Sequence, residues 1–420
     1  MANTTLDIRG RQFLINGRPT YSEISGSKQT AHGLLMNARF IQGIFDDAAD
    51  PARFARYGFD RWDPEDHTDR LIAALPEWYS YGLRAFTVGF QGGGPCFTIA
   101  NPTIRNNPFS EDGRSIDPAY RARMDRLIRA ADEVGMVVIV SFFYGEQARR
   151  ISEGIGIRNA VVTASRFLKE GGYRNVIIEI ANEHNIPPFK AHPILQEPDG
   201  MAMLIDLARR ESGGLPTGSS GGGGYRHKEV VDASDVVLIH GNGQTRQQYY
   251  NMVRDCRNWA PDKPIVCNED SQAIGNLLVC EHTATSWGYY NNMTKQEPPV
   301  RWGVLPGEDQ FFALRVAKVV GIRKEQPSTD DQYYLQGFEP DMTYGGKRWP
   351  RLASLYPETI NFVEFYRSGN LYYRSYDEPF STNFRSNWMQ DGVAVQKGER
   401  WEARVHLRDG DILVRSAECV

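Results

Sequence analysis

Two short segments carry the residue types that acid–base and nucleophilic chemistry requires. One reads Val176-Ile-Ile-Glu-Ile-Ala-Asn182-Glu183-His184-Asn185, the other Pro264-Ile-Val-Cys-Asn268-Glu269-Asp270. In each, an apolar run ends in a polar cluster that contains a glutamate. A parallel strand covered on both sides gives such a run, and polar residues directly after it are held by the sheet while facing the open end. On opposed strands, Glu183 and Glu269 converge on one small volume. Two carboxylates about 5–5.5 Å apart can cleave a glycosidic bond with retention, one as nucleophile and the other as acid and then base. Such closeness raises the pKa of one partner, expected to be Glu183. Plainer roles compete: Asn182 and Glu183 suit a helix cap, and Glu269 suits an ion pair with an arginine at the mouth.

Other candidates are placed by position. His240 ends an apolar run, where it either touches substrate or is a hydrogen-bonded strand-end histidine. Trp287 lies near the end of a further run, as a stacking face or as core packing. Tyr144, Asp46 and Asp47 follow earlier runs and reach the same mouth. No two of the eight histidines are closely spaced, so a metal site built from a short motif is not expected.

The elements that must position these residues alternate. Strands are expected at Phe40 to Phe45, Arg84 to Phe90, Val137 to Phe143, Val176 to Ala181, Leu215 to Ser219, Val236 to His240, Pro264 to Cys267 and Ser286 to Tyr290. Helical periodicity marks Asp66 to Tyr81, Asp117 to Val134, Ala160 to Leu168, Met201 to Arg210, Gln247 to Trp259 and Asp309 to Val320. Eight strand–helix units in about 280 residues fit an α/β fold of the (β/α)8 TIM barrel type, with an open doubly wound sheet as runner-up. Phe13 to Pro19 reads as a short N-terminal hairpin turning at Asn16-Gly17. Residues 341–420 change to alternating runs split by Lys397-Gly398 and Asp409-Gly410. They read as a C-terminal antiparallel β extension packed on a catalytic barrel of residues 1–340.

The formal charge of −4 disfavours nucleic acid, whose binding rests on phosphate neutralisation. The longest apolar run, Val134 to Val140, is far short of the roughly 20 residues of a membrane span. Five dispersed cysteines read as reduced thiols in a cytoplasmic protein, and the opening residues carry no secretory leader, although one removed beforehand would leave the same sequence. The glycine clusters Gly92-Gly93-Gly94-Pro95 and Gly218 to Gly224 fit neither a dinucleotide fingerprint nor a phosphate loop, so no cofactor is expected.

Glu179-Ile-Ala-Asn182-Glu183 after Val176-Ile177-Ile178 resembles the strand-four signature of clan A glycoside hydrolases, especially the cellulase-like family 5. Ile15-Asn16-Gly17-Arg18-Pro19 is similar to the entrance of many barrels of that clan. The resemblance implies that Glu183 is the acid/base, Asn182 binds the sugar 2-hydroxyl, Glu269 is the nucleophile and Trp287 is the aromatic platform. The substrate it implies is a β-linked glycoside, oligosaccharide or polysaccharide. The chain departs from family 5 in three places: Thr87 replaces the usual strand-two arginine, His240-Gly241-Asn242 replaces His-x-Tyr, and His184 replaces the proline after Asn-Glu. Two rival readings are an inactive carbohydrate-binding barrel and a metal-dependent barrel hydrolase with His184, His240 and Asp270 as ligands.

Overall fold

The computed structural model describes residues 2–55, 59–95, 98–271, 274–340, 342–385 and 388–420. Cys96 and Asp341, where the expected domain boundary falls, lie outside the described residues.

Eight short strands run parallel through the first three quarters of the chain: β1 (Asn37–Arg39), β2 (Ala85–Gly89), β3 (Val137–Phe143), β4 (Val176–Ala181), β5 (Thr217–Gly218), β6 (Val237–His240), β7 (Ile265–Glu269) and β8 (Gly288–Tyr289). Helices follow most of them, among them α1 (Pro64–Ser80), α2 (Pro118–Val134), α3 (Ile155–Glu170), α4 (Pro198–Glu211), α5 (Arg246–Trp259) and α6 (Glu308–Val320). The fold is mixed α/β with a six-stranded parallel sheet in the order β8-β1-β2-β3-β4-β5, beside a β6-β7 pair. The strands lie in sequential order, without the reversal that a doubly wound sheet requires. A parallel bridge from Val266 to Ser286 joins β7 to the residues before β8. Asp235 N donates to Thr217 O at 2.8 Å between β5 and the start of β6.

The helix starts follow local chemistry. Asp63 and Asp117 each accept two first-turn amides of α1 and α2, with proline at the first helical position of both. Thr245 and Gln248 form a reciprocal capping box on α5.

The first strand differs from expectation. Phe40 to Phe45, read as a strand, turns back on itself through Gly43 N to Phe40 O and Phe45 N to Gln42 O, and the strand is Asn37–Arg39. The apolar residues of that run are buried because the turns pack inward, with Phe40 in contact with Trp78 and Phe86.

Period-two alternation sorts the strand residues. Phe86, Val138, Val140 and Ile178 face the helices in the main core, while Ala85, Ile139, Ile177, Leu238 and Val266 pack together on the other side with Phe13 of the N-terminal segment. Two residues further along, that inner side carries Thr87, Ser141, Glu179, His240 and Asn268, all buried. One layer is apolar and the next is polar.

The N-terminal segment is a three-stranded antiparallel sheet (Leu6–Arg9, Gln12–Ile15, Arg18–Pro19) with Asn16-Gly17 at the second turn, as expected. Antiparallel pairing resumes at Tyr333–Gln336, which pairs with Arg351–Ser354. A four-stranded sheet follows, built from β9 (Ile360–Arg367), β10 (Asn370–Ser375), β11 (Arg400–Leu407) and β12 (Ile412–Glu418) in the order β10-β9-β11-β12. Its inner face forms a second core of Val363, Phe365, Trp401, Ala403 and Val405. A buried ion pair, Arg351 Nη2 to Glu308 Oε2 at 2.8 Å, ties this region to α6, and Asn291 bonds both partners.

Candidate active site

Glu183 leaves the end of β4 with φ +54°, a left-handed conformation that is uncommon outside glycine, Asn and Asp. Ser220 Oγ accepts its backbone N–H at 3.2 Å. Across the open end, Glu269 is the last residue of β7 and is buried. His240, fully buried at the end of β6, lies between them: Nδ1 is 3.1 Å from Glu183 Oε1 and 3.6 Å from Glu269 Oε2. Carboxylate oxygens of both glutamates and a ring nitrogen of His240 lie within 4.8 Å of one another.

The rest of the polar layer holds this group in place. Arg39 Nε pairs with Glu269 Oε2 at 2.7 Å, and its Nη2 donates to Asn182 Oδ1 at 2.5 Å. Asn242 Nδ2 donates to the other Glu269 oxygen at 2.7 Å. Glu179, also buried, accepts from Ser220 Oγ at 2.7 Å and Asn268 Nδ2 at 2.9 Å. Arg39 and protonated His240 offset Glu183 and Glu269, while the third buried carboxylate, Glu179, lies 3.9 Å from His240 Nε2 and is held by Ser220 and Asn268.

The expected protonation is reversed. Burial pushes the Glu183 carboxyl up, but the His240 hydrogen bond, the His240 charge and Arg39 outweigh it, and its pKa falls below the ordinary value. Glu269 goes the other way: burial, reinforced by Glu183, exceeds the pull of Arg39, His240 and Asn242. Burial lowers His240, yet Glu269 and Glu183 more than compensate and keep it cationic to higher pH.

The other candidates separate. Asn182 is in the cluster, and Tyr144 stands at its rim, half-buried, with its ring against Gly93. Trp287 is a correction: it is fully buried against Phe312, with Nε1 donating to Asp270 Oδ2 at 2.9 Å, so it offers no open face for a sugar. Asp46 is a second correction. Its carboxylate accepts from Trp62 Nε1 and Asp47 N, while Asp47 binds Arg53, so both brace the loop after β1. Asp270, pushed up to about 7 by burial against bonds from Asn276, Trp287 and Ser271, lies behind Glu269. The metal reading with His184, His240 and Asp270 fails on geometry. His184 Nδ1 faces Gln196 O, and among the described residues the one group of converging ligand atoms is Glu183, His240 and Glu269, where Arg39 already supplies positive charge.

Arg39 is the residue that sequence reasoning missed. It is the register partner of Thr87, so the guanidinium expected on the second strand arrives from the first strand at the same level. The signal was a single charge inside Met36-Asn-Ala-Arg-Phe40, a run otherwise fit for burial.

No family model matches the chain, and no curated protein matches it in sequence. Among solved structures, it is similar to a beta-glucuronidase of Parabacteroides merdae (11% identity, 98% of this chain and 50% of that one, TM-score 0.44). It is also similar to a beta-mannanase of the blue mussel Mytilus edulis (11%, 76% and 97%, 0.46) and to an FMN-binding beta-glucuronidase of Facaelibacterium prausnitzii (12%, 99% and 59%, 0.43). The chain spans about half the length of the glucuronidases it matches. Likeness this distant transfers neither fold nor activity.

Proposed function

We propose that the chain is a retaining β-glycosidase in which Glu269 attacks the anomeric carbon and Glu183 protonates the leaving oxygen, then activates water. The observation that carries this reading is the approach of the two carboxylates, within 4.8 Å at their nearest oxygens and joined by His240. That spacing suits direct attack and leaves no room for an interposed water, as inversion would need. Arg39 and Asn242 hold both Glu269 oxygens, and Arg39 takes the Asn182 oxygen, which leaves that amide's N–H groups for a sugar hydroxyl.

The reaction needs its proton on Glu183, and the nearest store is His240 Nδ1. Transfer to Glu183 Oε1 yields neutral imidazole and a neutral carboxylic acid while Glu269 stays charged. The acid then protonates the leaving group as the Glu269–sugar bond forms, and Glu183 as carboxylate deprotonates the water that releases the sugar.

The eight strands are read as a (β/α)8 barrel. Support comes from β8 lying beside β1, the β7 bridge and the backbone bond between β5 and β6. Residues from about 341 onward are read as a β extension with its own core. Cys256, Cys267, Cys280 and Cys419 are free and buried, which fits a reducing, cytoplasmic setting. Among the described residues no helix is long and apolar enough to cross a membrane.

Azide rescue tests the roles. Glu269→Ala with azide and an activated aryl glycoside should give an azide product of inverted configuration, and Glu183→Ala one of retained configuration, both read by proton NMR. Opposite stereochemistry would swap the roles, and unchanged activity in either variant would end the assignment. An inactive carbohydrate-binding barrel would bind sugars and show neither turnover nor rescue.

A further inference from the structure

A cavity of about 490 Å³ opens between the loops after β6 and β7 and the edge of the C-terminal sheet. Its walls include Gln244, Arg246, Ser271, Tyr373, Tyr376 and Glu378. It adjoins the reacting group along the chain: Asn242, bonded to Glu269, precedes Gly243 and Gln244 in the wall, and Asp270 precedes Ser271. Asn276, also in the wall, donates to Asp270 Oδ2 at 2.9 Å.

The chemistry of the walls is specific. Arg246 Nη2 pairs with Glu378 Oε1 at 2.5 Å, and Gly275 N donates to Glu378 Oε2 at 2.9 Å, so the cavity has donors and acceptors in fixed positions without net charge. Tyr376, 62% exposed, presents an aromatic face at the rim. Behind it runs a row of rings on the outer face of the sheet, Phe362 at 5.5 Å and then His406 stacked 4.1 Å from Phe362. A polar cavity whose two arginines and two carboxylates balance, beside an exposed ring, suits a neutral polyhydroxylated ring, whose C–H face stacks while its hydroxyls bond. A phosphate would find both wall arginines already paired, Arg246 with Glu378 and Arg374 with Glu364, while the exposed Asp377 carboxylate adds an acceptor for hydroxyls. The volume lies within the roughly 300–1,000 Å³ of small-ligand pockets.

We infer that this cavity is a distal subsite for further sugar units of a β-linked oligosaccharide, with Tyr376 as its stacking platform. The inference rests on the glycosidase reading for its position relative to the cleaved bond. The C-terminal sheet is then part of the substrate site, and the preferred substrate is an oligosaccharide or polysaccharide chain instead of a simple glycoside.

Binding and turnover are measured separately. Gluco-, manno-, galacto- and xylo-oligosaccharides of one to six β-linked units are titrated calorimetrically into Glu269→Gln, and kcat/KM is measured for the wild type on aryl glycosides of the same series. At least one series should bind about tenfold tighter as units are added. Tyr376→Ala in the same background should remove about fivefold to tenfold of that gain, and Tyr376→Phe should keep it. Wild-type kcat/KM on the one-unit aryl glycoside should stay within about twofold in Tyr376→Ala. Affinity independent of length, a gain insensitive to Tyr376→Ala, or no binding of any series overturns the subsite. Length-dependent binding without wild-type turnover keeps the subsite and refutes the glycosidase reading.

Discussion

Replacing His240 by Asn removes the cation that sets both carboxylates while keeping a donor near Nδ1. The distances are 3.1 Å to Glu183 Oε1 and 3.6 Å to Glu269 Oε2. At an effective dielectric near 20, each unit-charge pair is worth on the order of 4 kcal/mol, or about three pKa units. The amide dipole and local relaxation return part of this, so an upward shift of about one to two units is expected for each glutamate. Raising Glu269 moves the acid limb of the kcat/KM bell up by about one to two pH units, while the basic limb, set in the wild type by loss of the His240 proton that supplies Glu183, falls to the titration of Glu183 itself, so the bell should narrow. A residue with only a packing role would lower the bell without moving it. Stability provides a second reading. The folded pKa of His240 is raised, so its contribution is fully present below the unfolded value near 6.5 and is lost as pH rises through the folded value. The Tm deficit of His240→Asn should therefore be larger at pH 5.5 than at pH 9. A bell with both limbs unchanged would refute the electrostatic account.

Three further outcomes follow from the same geometry. Arg39→Met leaves Glu269 buried without its closest cation, at a cost of about 3–5 kcal/mol; urea melts should show it, and Arg39→Lys should recover only part because it lacks the fork that reaches Asn182. Asp270 and Glu308 are each pushed up to about 7 by burial, so the folded protein keeps protons that the unfolded chain has released above about pH 4. Stability should then fall between about pH 4 and pH 7, and Asp270→Asn should flatten that slope in denaturant melts at pH 5 and pH 7. Asn182→Ala should depress kcat more than it raises KM, because a bond to the 2-hydroxyl strengthens towards the transition state; an effect on KM alone would make it a ground-state contact.

The strands with continuous β-branched runs were legible to the residue: Val137–Phe143 and Val176–Ala181 form as read. Where tertiary packing overrides local pattern, sequence reading slipped. Phe40 to Phe45 is apolar enough for a strand but is used as a buried turn, and Thr217–Gly218 is too short to carry a period. Both glutamates were found because each follows such a run. Arg39, Asn242 and Glu179 were missed because their role lies in which strands become neighbours, and a charge within a short strand has no local sign of a partner 230 residues away (Arg39 to Glu269). Trp287 was misplaced for the same reason: a tryptophan at a strand end looks alike whether its face is open or lies against Phe312.

The Arg351–Glu308 pair bears on modularity. Glu308 opens the last helix of the parallel unit, and Arg351 arrives 43 residues later on an antiparallel strand, both almost without solvent. Excising the C-terminal β region as a cassette would remove both the cation of Glu308 and the cover that Leu352, Ala353 and Phe380 give it. During synthesis, Phe312 of α6 can already pack on Trp78, Trp287 and Tyr289, but Glu308 gains its cation only once Arg351 has cleared the ribosome. A cut between the two regions would also open the main core, to which Ala353 and Leu355 belong.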